Sequence, residues 1–155
     1  MDVESMLTVT RAEAQDWLDR YYSAWRSGDA DAAALLFSSD AVYVVTPYEE
    51  PWPVGQRMSG RDQIAEFWVL VNTEHIRFLD GGYDLWAVNG NEAYARWWAD
   101  IELREEGCWV KAEGVFKLTF SDRVDRHLLC SQLYEWNPIE PESARHYEAY
   151  LVDES

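Results

Sequence analysis

The sequence predicts a single α+β domain in which a cone-shaped, curved antiparallel sheet wraps over three N-terminal helices. The first observation is a change of period: apolar residues recur at helical spacing through residues 10–37 and 59–71, and alternate at strand spacing from Ile76 onward. The second is element order, which runs helix, helix, strand, helix and then four strands in a meander. The strand–helix–strand repeat that builds parallel sheets is missing from this order, which favours an α+β domain.

Length and composition set the domain organisation. The chain has 155 residues, of which 48% are hydrophobic, enough for one domain with a real core. We predict an N-terminal arm at residues 1–9, the domain at 10–137 and a peripheral C-terminal tail at 138–155. The N-terminus has no apolar block behind basic residues, which predicts a cytoplasmic location.

Charge excludes several classes of partner. The formal net charge is −16, from 29 acidic and 13 basic residues. Such a surface repels phosphate backbones and anionic lipid, so neither nucleic acid nor membrane is an expected partner. Cys108 and Cys130 are too few for a disulfide framework. The three histidines show no paired spacing with each other or with the cysteines, so we expect no metal and no cofactor.

Each helix has a start signal. Thr10 and Glu13 form a capping box before the first helix, and Gly28 ends that helix. Asp29 caps a second helix that extends to Phe37. Ser59 with Asp62 is expected to cap the third. The predicted buried residues of the first and third helices are Ala14, Trp17, Leu18, Tyr21, Tyr22, Trp25, Ile64, Phe67, Trp68 and Val71.

The strands are marked by β-branched and aromatic residues between turn signals. The first is predicted at residues 41–46 and is followed by a proline-rich loop at 47–53. Asn89–Gly90 is a hairpin signal, and 106–107 and 121–122 are read as two further turns. Residues 80–82 are expected to kink the first long strand because they contain two adjacent glycines.

Strand alternation separates two faces of the sheet. The predicted inner face is apolar and rich in small residues, so it could cover the helices or line a cavity. The outer face mixes tryptophans with opposite charges. That mixture fits a homodimer interface through the outer face, although simple cross-strand salt bridging fits it equally well. The nine tryptophans and nine tyrosines likewise fit either aromatic packing or a pocket for a flat ligand.

Three segments resemble a known family. Residues 19–29 read DRYYSAWRSGD, residues 36–42 read LFSSDAV and residues 60–68 read GRDQIAEFW. These segments are similar to SnoaL-like polyketide cyclases and ketosteroid isomerases, of the nuclear transport factor 2-like superfamily, over roughly residues 10–137. The resemblance implies the fold, whereas the functions hosted by this fold range from isomerases and dehydratases to non-catalytic domains.

The resemblance also implies positions for catalytic groups. The tyrosine of ketosteroid isomerase falls on Tyr21, but its base falls at residues 45–46 and its protonated aspartate falls near Gly114. Neither position holds a carboxylate, so ketosteroid isomerase activity itself is not expected. Dehydratases of this superfamily use a histidine at the entry to the second strand, and His75 stands near that position. Their aspartate would match Asp100, which strand parity directs outward.

The predicted site combines these residues with the inner face. Tyr21 and His75 are the candidate catalytic residues. The predicted substrate-binding residues are Trp25, Tyr43, Trp68, Trp97, Ile101, Phe116, Gln132 and Tyr134. Placing Gln132 and Tyr134 inside assumes one register of the last strand. The opposite register would instead bury Leu129, Leu133 and Glu135, and a desolvated glutamate there could act as a base.

Two functions remain open at this point. One is a cofactor-independent lyase, isomerase or cyclase that transfers protons on a small hydrophobic, cyclic or aromatic molecule, with Tyr21 as hydrogen-bond donor. The alternative is a non-catalytic ligand-binding or dimerisation module of the same fold. A hollow cone with polar groups in its wall would favour the enzyme.

Overall fold

The computed structural model describes residues 7–46, 57–104 and 107–136, and it confirms the α+β class. The helices are α1 (Arg11–Ser27), α2 (Ala30–Ala34) and α3 (Arg61–Leu70), and a π-helical turn (Val71–His75) follows α3. The strands are β1 (Phe37–Thr46), β2 (Arg57–Ser59), β3 (Ile76–Asn89), β4 (Glu92–Leu103), β5 (Cys108–Val124) and β6 (His127–Trp136).

The first two helices begin as predicted. The amide of Glu13 donates to Thr10 Oγ1 at 3.1 Å, and the amide of Thr10 donates to Glu13 Oε1 at 3.0 Å, which completes the capping box. Gly28 ends α1 in the left-handed conformation with φ 67°. The carboxylate of Asp29 then caps α2.

Two predicted boundaries are wrong. The second helix stops at Ala34, and Phe37 instead begins β1 as a fully buried strand residue. The third helix is not capped by Ser59, because Ser59 lies on β2, a short strand that the sequence did not predict. The residue before α3 is Gly60, whose φ of 91° suits glycine, and it contributes no side-chain cap.

The turn predicted at residues 121–122 is also misplaced. Strand β5 continues to Val124, and the reversal is made by Asp125 and Arg126, both with positive φ (53° and 70°). A charged side chain on an exposed strand end and one in a turn give the same local sequence signal. The hairpin at Asn89–Gly90 is confirmed, since β3 ends at Asn89 and β4 begins two residues after Gly90.

The six strands form one sheet in the order β2-β1-β6-β5-β4-β3. All neighbouring strands are antiparallel except β1 and β6, which run parallel. This pair is the one departure from the purely antiparallel sheet that was predicted. Strands β1 and β6 can be parallel because the long excursion through α3 and β3–β5 separates them in the chain.

The sheet curves around α1, which contacts side chains from five of its strands, including His127 of β6. The ring of Tyr22 meets Phe78 of β3 at 6.0 Å between centroids, and Trp25 meets Trp97 of β4 at 6.2 Å. Contacts with β1 and β5 centre on Tyr21.

The expected kink in β3 coincides with a register shift between Phe78 and Asp80. At the kink, a Cβ on Gly81 would lie 2.6 Å from the Trp98 carbonyl oxygen, so only glycine fits.

The division into inner and outer faces is confirmed for β4 and β5. Alternate residues of β4 are buried, including Ala95, Trp97, Ala99 and Ile101. The interleaved residues, among them Trp98, are half-buried on the outer face. The apolar inner face packs on the helices and forms the core.

The last strand has the register that buries Leu133 and Glu135. Gln132 and Tyr134 are therefore half-exposed on the outer face, and their predicted place among the inner residues is wrong. The reason is a bulge at Ser131: Cys130 pairs with Phe120 and Gln132 with Thr119, so one extra residue reverses the inward parity of β6. The same reversal buries Leu128 in place of Leu129.

Parts of the predicted organisation lie outside the described residues. These are the loop at 47–53, residue 106 of one predicted turn, and the tail at 138–155. Within the predicted N-terminal arm, Val9 is buried and its amide donates to the Gly90 carbonyl oxygen at 2.8 Å. None of the helices described is both long and apolar enough to cross a membrane.

Candidate functional site

The centre of the candidate site is a buried chain of three hydrogen-bonded side chains. The Tyr21 hydroxyl lies 3.1 Å from that of Tyr43, and the Tyr43 hydroxyl donates to Glu135 Oε1 at 2.6 Å. These residues come from α1, β1 and β6. All three are buried, and Glu135 is the buried charged residue of the core at 8% exposure. The fold thus joins a predicted catalytic residue, a predicted substrate-binding residue and the carboxylate of the alternative register.

The direction of these hydrogen bonds follows from counting protons. A phenol has one O–H, and that of Tyr43 is used by Glu135. Tyr21 must therefore donate to Tyr43. In this state the Tyr21 oxygen offers a ligand only its lone pairs, so it is an acceptor. It becomes the donor that the sequence predicted when Glu135 carries a proton and the whole chain reverses.

Neither tyrosine forms a phenolate near neutral pH. Burial raises the pKa of Tyr21, and the charge of Glu135 raises it further. The pKa of Tyr43 is likewise raised well above its ordinary value, first by burial and then by Glu135. The two phenols can therefore pass a proton or hold a hydrogen bond, and Glu135 is the member of the chain that can store a charge.

Aromatic rings enclose the Tyr21 end of the chain. Trp17 stacks on the Tyr21 ring at 5.2 Å, while Trp68 and Phe116 meet it edge-on at 5.3 and 5.7 Å. Trp25 lies 6.3 Å away in a tilted-edge arrangement. The predicted residues Trp25, Trp68 and Phe116 are thus brought together with Tyr21 in one apolar wall.

Trp97 and Ile101 lie further along the inner face of β4. The Trp97 ring stacks on Phe116 at 5.7 Å with an interplanar angle of 18°. Its Nε1 is buried and has no hydrogen-bond partner. Ile101 is buried opposite Phe78 of β3.

His75 and Asp100 lie away from the hydrogen-bonded chain of Tyr21, Tyr43 and Glu135. His75 is half-buried at the end of the π-helical turn, where its carbonyl oxygen accepts from the Arg104 amide at 2.9 Å. This end of β3 pairs with Leu103 of β4. Glu135 pairs with Phe116 of β5, and Phe116 pairs with Ala95, which lies eight residues before Leu103 on β4. Asp100 faces outward, as its parity predicted, and lies 3.8 Å from Lys111.

A second feature is a cleft between α1 and β3, of about 420 Å³. It is lined by Asp19, Tyr22, Arg26, Gly81, Gly82 and Tyr83. None of the predicted catalytic or substrate-binding residues lines this cleft. Within the described ranges, no cluster of three or more histidine, cysteine or acidic side chains could hold a metal ion.

Comparison with known proteins places the chain in a family. The model of the SnoaL-like domain matches residues 18–127. A candidate isomerase from Bacillus subtilis superposes with TM-score 0.70 at 13% identity, over 89% of this chain and 94% of that one. A candidate polyketide cyclase from Xanthomonas campestris superposes with TM-score 0.63 at 16% identity, over 91% and 98%.

A Catenulispora acidiphila protein of ketosteroid isomerase-like fold, in complex with trimethylamine, superposes with TM-score 0.62 at 13% identity, over 86% and 92%. At such identities the likeness is one of fold. A direct search of curated protein sequences finds no match. The matched domain covers most of the chain, and the solved structures share its fold over nearly their whole length. The chain therefore belongs to the SnoaL-like domain family.

Proposed function

We propose that the protein is an enzyme that transfers a proton to or from an oxygen atom of a small hydrophobic molecule through Tyr21, Tyr43 and Glu135. The observation that carries this proposal is the hydrogen-bonded chain from a core phenol to a buried carboxylate. The hydrogen bonds of such a chain can run in either direction. With Glu135 ionised, the Tyr21 oxygen accepts from a ligand hydroxyl, and with Glu135 protonated it donates to a ligand carbonyl or leaving hydroxyl.

The wall of the site indicates the substrate class. Trp25, Trp68 and Phe116 around Tyr21 favour a cyclic or aromatic molecule, because flat rings stack and pack edge-on against such side chains. The buried carboxylate and the net charge of −16 disfavour an anionic one. Isomerisation, dehydration and cyclisation all need protonation of an oxygen, and the candidate isomerase and candidate cyclase of the same fold support this range of reactions.

The test is exchange of the α-protons of tetralone, a cyclic aromatic ketone, for solvent deuterium. When Glu135 is protonated, the hydrogen-bonded chain can pass its proton through Tyr21 to the ketone oxygen while a solvent water takes the α-proton, so the wild-type protein should accelerate exchange. Glu135→Gln keeps the shape but removes the proton store, and should lower the rate by at least about tenfold. Glu66→Gln, at an exposed position of α3, is the matched control and should change nothing.

A non-catalytic pocket remains the alternative, and one observation favours it: the Tyr21 hydroxyl already has a partner within the protein. Binding of tetralone that is equal in wild type and Glu135→Gln, with no accelerated exchange in either, would establish this alternative and refute the enzyme. Two cysteines are too few for a disulfide framework, which suits a reducing compartment, and we propose that the protein acts in the cytoplasm.

We also propose a homodimer through the outer sheet face. Lys111 lies over the Trp98 ring at 5.0 Å, and Arg96 pairs with Glu113 at 2.8 Å. On the same face, Asp100 Oδ1 is buried without a hydrogen-bond partner, and the Lys111 ammonium with which it pairs lies 3.8 Å away, so a second subunit could supply a closer donor. This combination of an aromatic ring, charges and an unsatisfied acceptor resembles the centre of a subunit interface.

Sedimentation at micromolar concentration tests the dimer. Wild type should sediment as a dimer and Trp98→Glu as a monomer, because a carboxylate placed beside Asp100 would be desolvated at the interface. Trp86→Glu is the control, since Trp86 is exposed on β3. A monomeric wild type would refute this interface.

A further inference from the structure

The indole nitrogen of Trp97 is an isolated polar atom in the core. The residue is 4% exposed, and its Nε1 has no hydrogen-bond partner. Its ring is held on two sides, by Phe116 at 5.7 Å and by Trp25 at 6.2 Å. The position of the nitrogen is therefore set by packing.

An unpartnered buried donor is unfavourable for folding. A buried N–H without an acceptor gives up the hydrogen bond that water supplies in the unfolded chain, whereas a phenylalanine ring could stack on Phe116 without that cost. A weak N–H contact with the face of a neighbouring ring would recover only part of it. The donor at residue 97 is therefore better explained by an acceptor that arrives with a ligand.

The residues that flank Trp97 on the inner face are small, although the nitrogen itself is shielded from solvent. Directly opposite Trp97 on β5 is Gly114, which has no side chain, and the next inward pair is Ala99 with Ala112. Ala112 stays half-buried although it lies on the inner face, and Trp25 is half-buried as well. The inner face beside Trp97 is thus lined by small residues, which fill less of the space in front of it than large side chains would.

Trp97 also stands in a definite relation to the tyrosine chain. Phe116 stacks on Trp97 and meets Tyr21 edge-on at 5.7 Å, so a single ring separates the two. The Trp97 indole nitrogen, which can only donate a hydrogen bond, and the Tyr21 hydroxyl, which can donate or accept one, therefore lie on either side of the Phe116 ring.

We propose that Trp97 Nε1 is a second ligand-binding group, which donates a hydrogen bond to an acceptor oxygen of the ligand. The ligand is a neutral, flat cyclic compound with two oxygen functions on opposite edges, one at Trp97 and the other at Tyr21. The inference rests on the proposed function for the location of the site, and it adds the orientation of the substrate. A carboxylate could also satisfy an indole donor, but Glu135 and the overall negative charge disfavour it.

The test compares hydroxytetralone with tetrahydronaphthol, the same bicyclic phenol without the ketone. Wild type should bind the ketone more tightly by about tenfold, the contribution of one hydrogen bond to a buried donor. Trp97→Phe keeps a ring beside Phe116 but removes the donor, so it should bind both probes alike. Trp86→Phe, on the exposed part of β3, is the matched control and should keep the preference.

A spectroscopic readout separates this role from a structural one. The indole N–H resonance that disappears in Trp97→Phe belongs to Trp97, and hydroxytetralone should shift it downfield while tetrahydronaphthol should not. An unmoved resonance, an unchanged preference in Trp97→Phe, or no binding of either probe would overturn the proposal. Glu135→Gln should keep the ketone preference, whether or not it changes the rate of proton exchange. Ligand binding by Trp97 and proton transfer through Glu135 can therefore fail separately.

Discussion

Removing the middle hydroxyl of the tyrosine chain should destabilise the fold far more than removing its end. Tyr43→Phe keeps the ring but removes the hydrogen bond to Glu135 and leaves the Tyr21 O–H without its acceptor. Tyr21→Phe also keeps its ring, and it leaves Tyr43 still donating to Glu135. Only an acceptor lone pair of Tyr43 then loses its partner.

The expected magnitudes follow from these partners. A hydrogen bond to a buried charged group contributes about 1.5–3 kcal/mol, and an orphaned buried donor costs about 1–3 kcal/mol, so Tyr43→Phe should lose about 3–5 kcal/mol. Tyr21→Phe loses one neutral hydrogen bond, about 1 kcal/mol. In the Tyr43→Phe background, Tyr21→Phe should be neutral or stabilising because it removes the orphaned donor. The double-mutant cycle should therefore show coupling of about 1–4 kcal/mol.

Urea unfolding followed by circular dichroism measures all four proteins of this cycle. The slope of the free energy against urea should stay constant, so that the midpoints report stability alone. Equal losses in the two single variants, or additive losses in the double variant, would refute the hydrogen-bond direction inferred for the chain. Such a result would mean that Tyr43 does not link Tyr21 to Glu135 in solution.

Two further predictions concern the scaffold. The hydrogen bond from Arg123 lowers the pKa of Glu13 from 4.5 to about 2, so its stabilisation is full above pH 4.5 and is lost as the pH falls toward 2. Glu13→Gln, which can keep the cap, should be less stable by about 1 kcal/mol at pH 7, given partial solvent screening, and this difference should vanish near pH 2 in urea titrations. Gly81→Ala should lose more than about 2 kcal/mol because its Cβ meets the backbone of Trp98 at 2.6 Å, whereas Gly90→Ala, with open space around it, should lose only about 1 kcal/mol. Equal losses at the two glycines would contradict this account.

The helices were predictable because their signals are local. Thr10, Glu13, Gly28 and Asp29 each act within one turn of the residue that they cap, so the sequence alone contains the whole interaction. The inner face of β4 was predictable for the same reason, since alternation along one strand needs no knowledge of its neighbour. The ring wall around Tyr21 follows from these two patterns together.

The pairing of β1 with β6 was not predictable in this way. A parallel pair has no hairpin between its strands, and nothing local in either sequence marks the partner. The meeting of Tyr43 with Glu135 depends on that pair, because they are joined across β1 and β6. The sequence therefore indicated Tyr43 and Glu135 separately, without indicating that their side chains are in contact.

The bulge at Ser131 determines which chemistry the site can have. Without this extra residue, the parity that buries Leu128 and Cys130 would continue to Gln132 and Tyr134, and Glu135 would face solvent. The Ser131 hydroxyl holds the bulge by donating to the Thr119 carbonyl oxygen at 3.1 Å. A single inserted residue thus turns a carboxylate inward on β6, away from the two positions at which the resemblance to ketosteroid isomerases would place one. Because bulges re-aim side chains at functional sites, the position of this one beside the only charged residue among the buried described residues supports a functional role for Glu135.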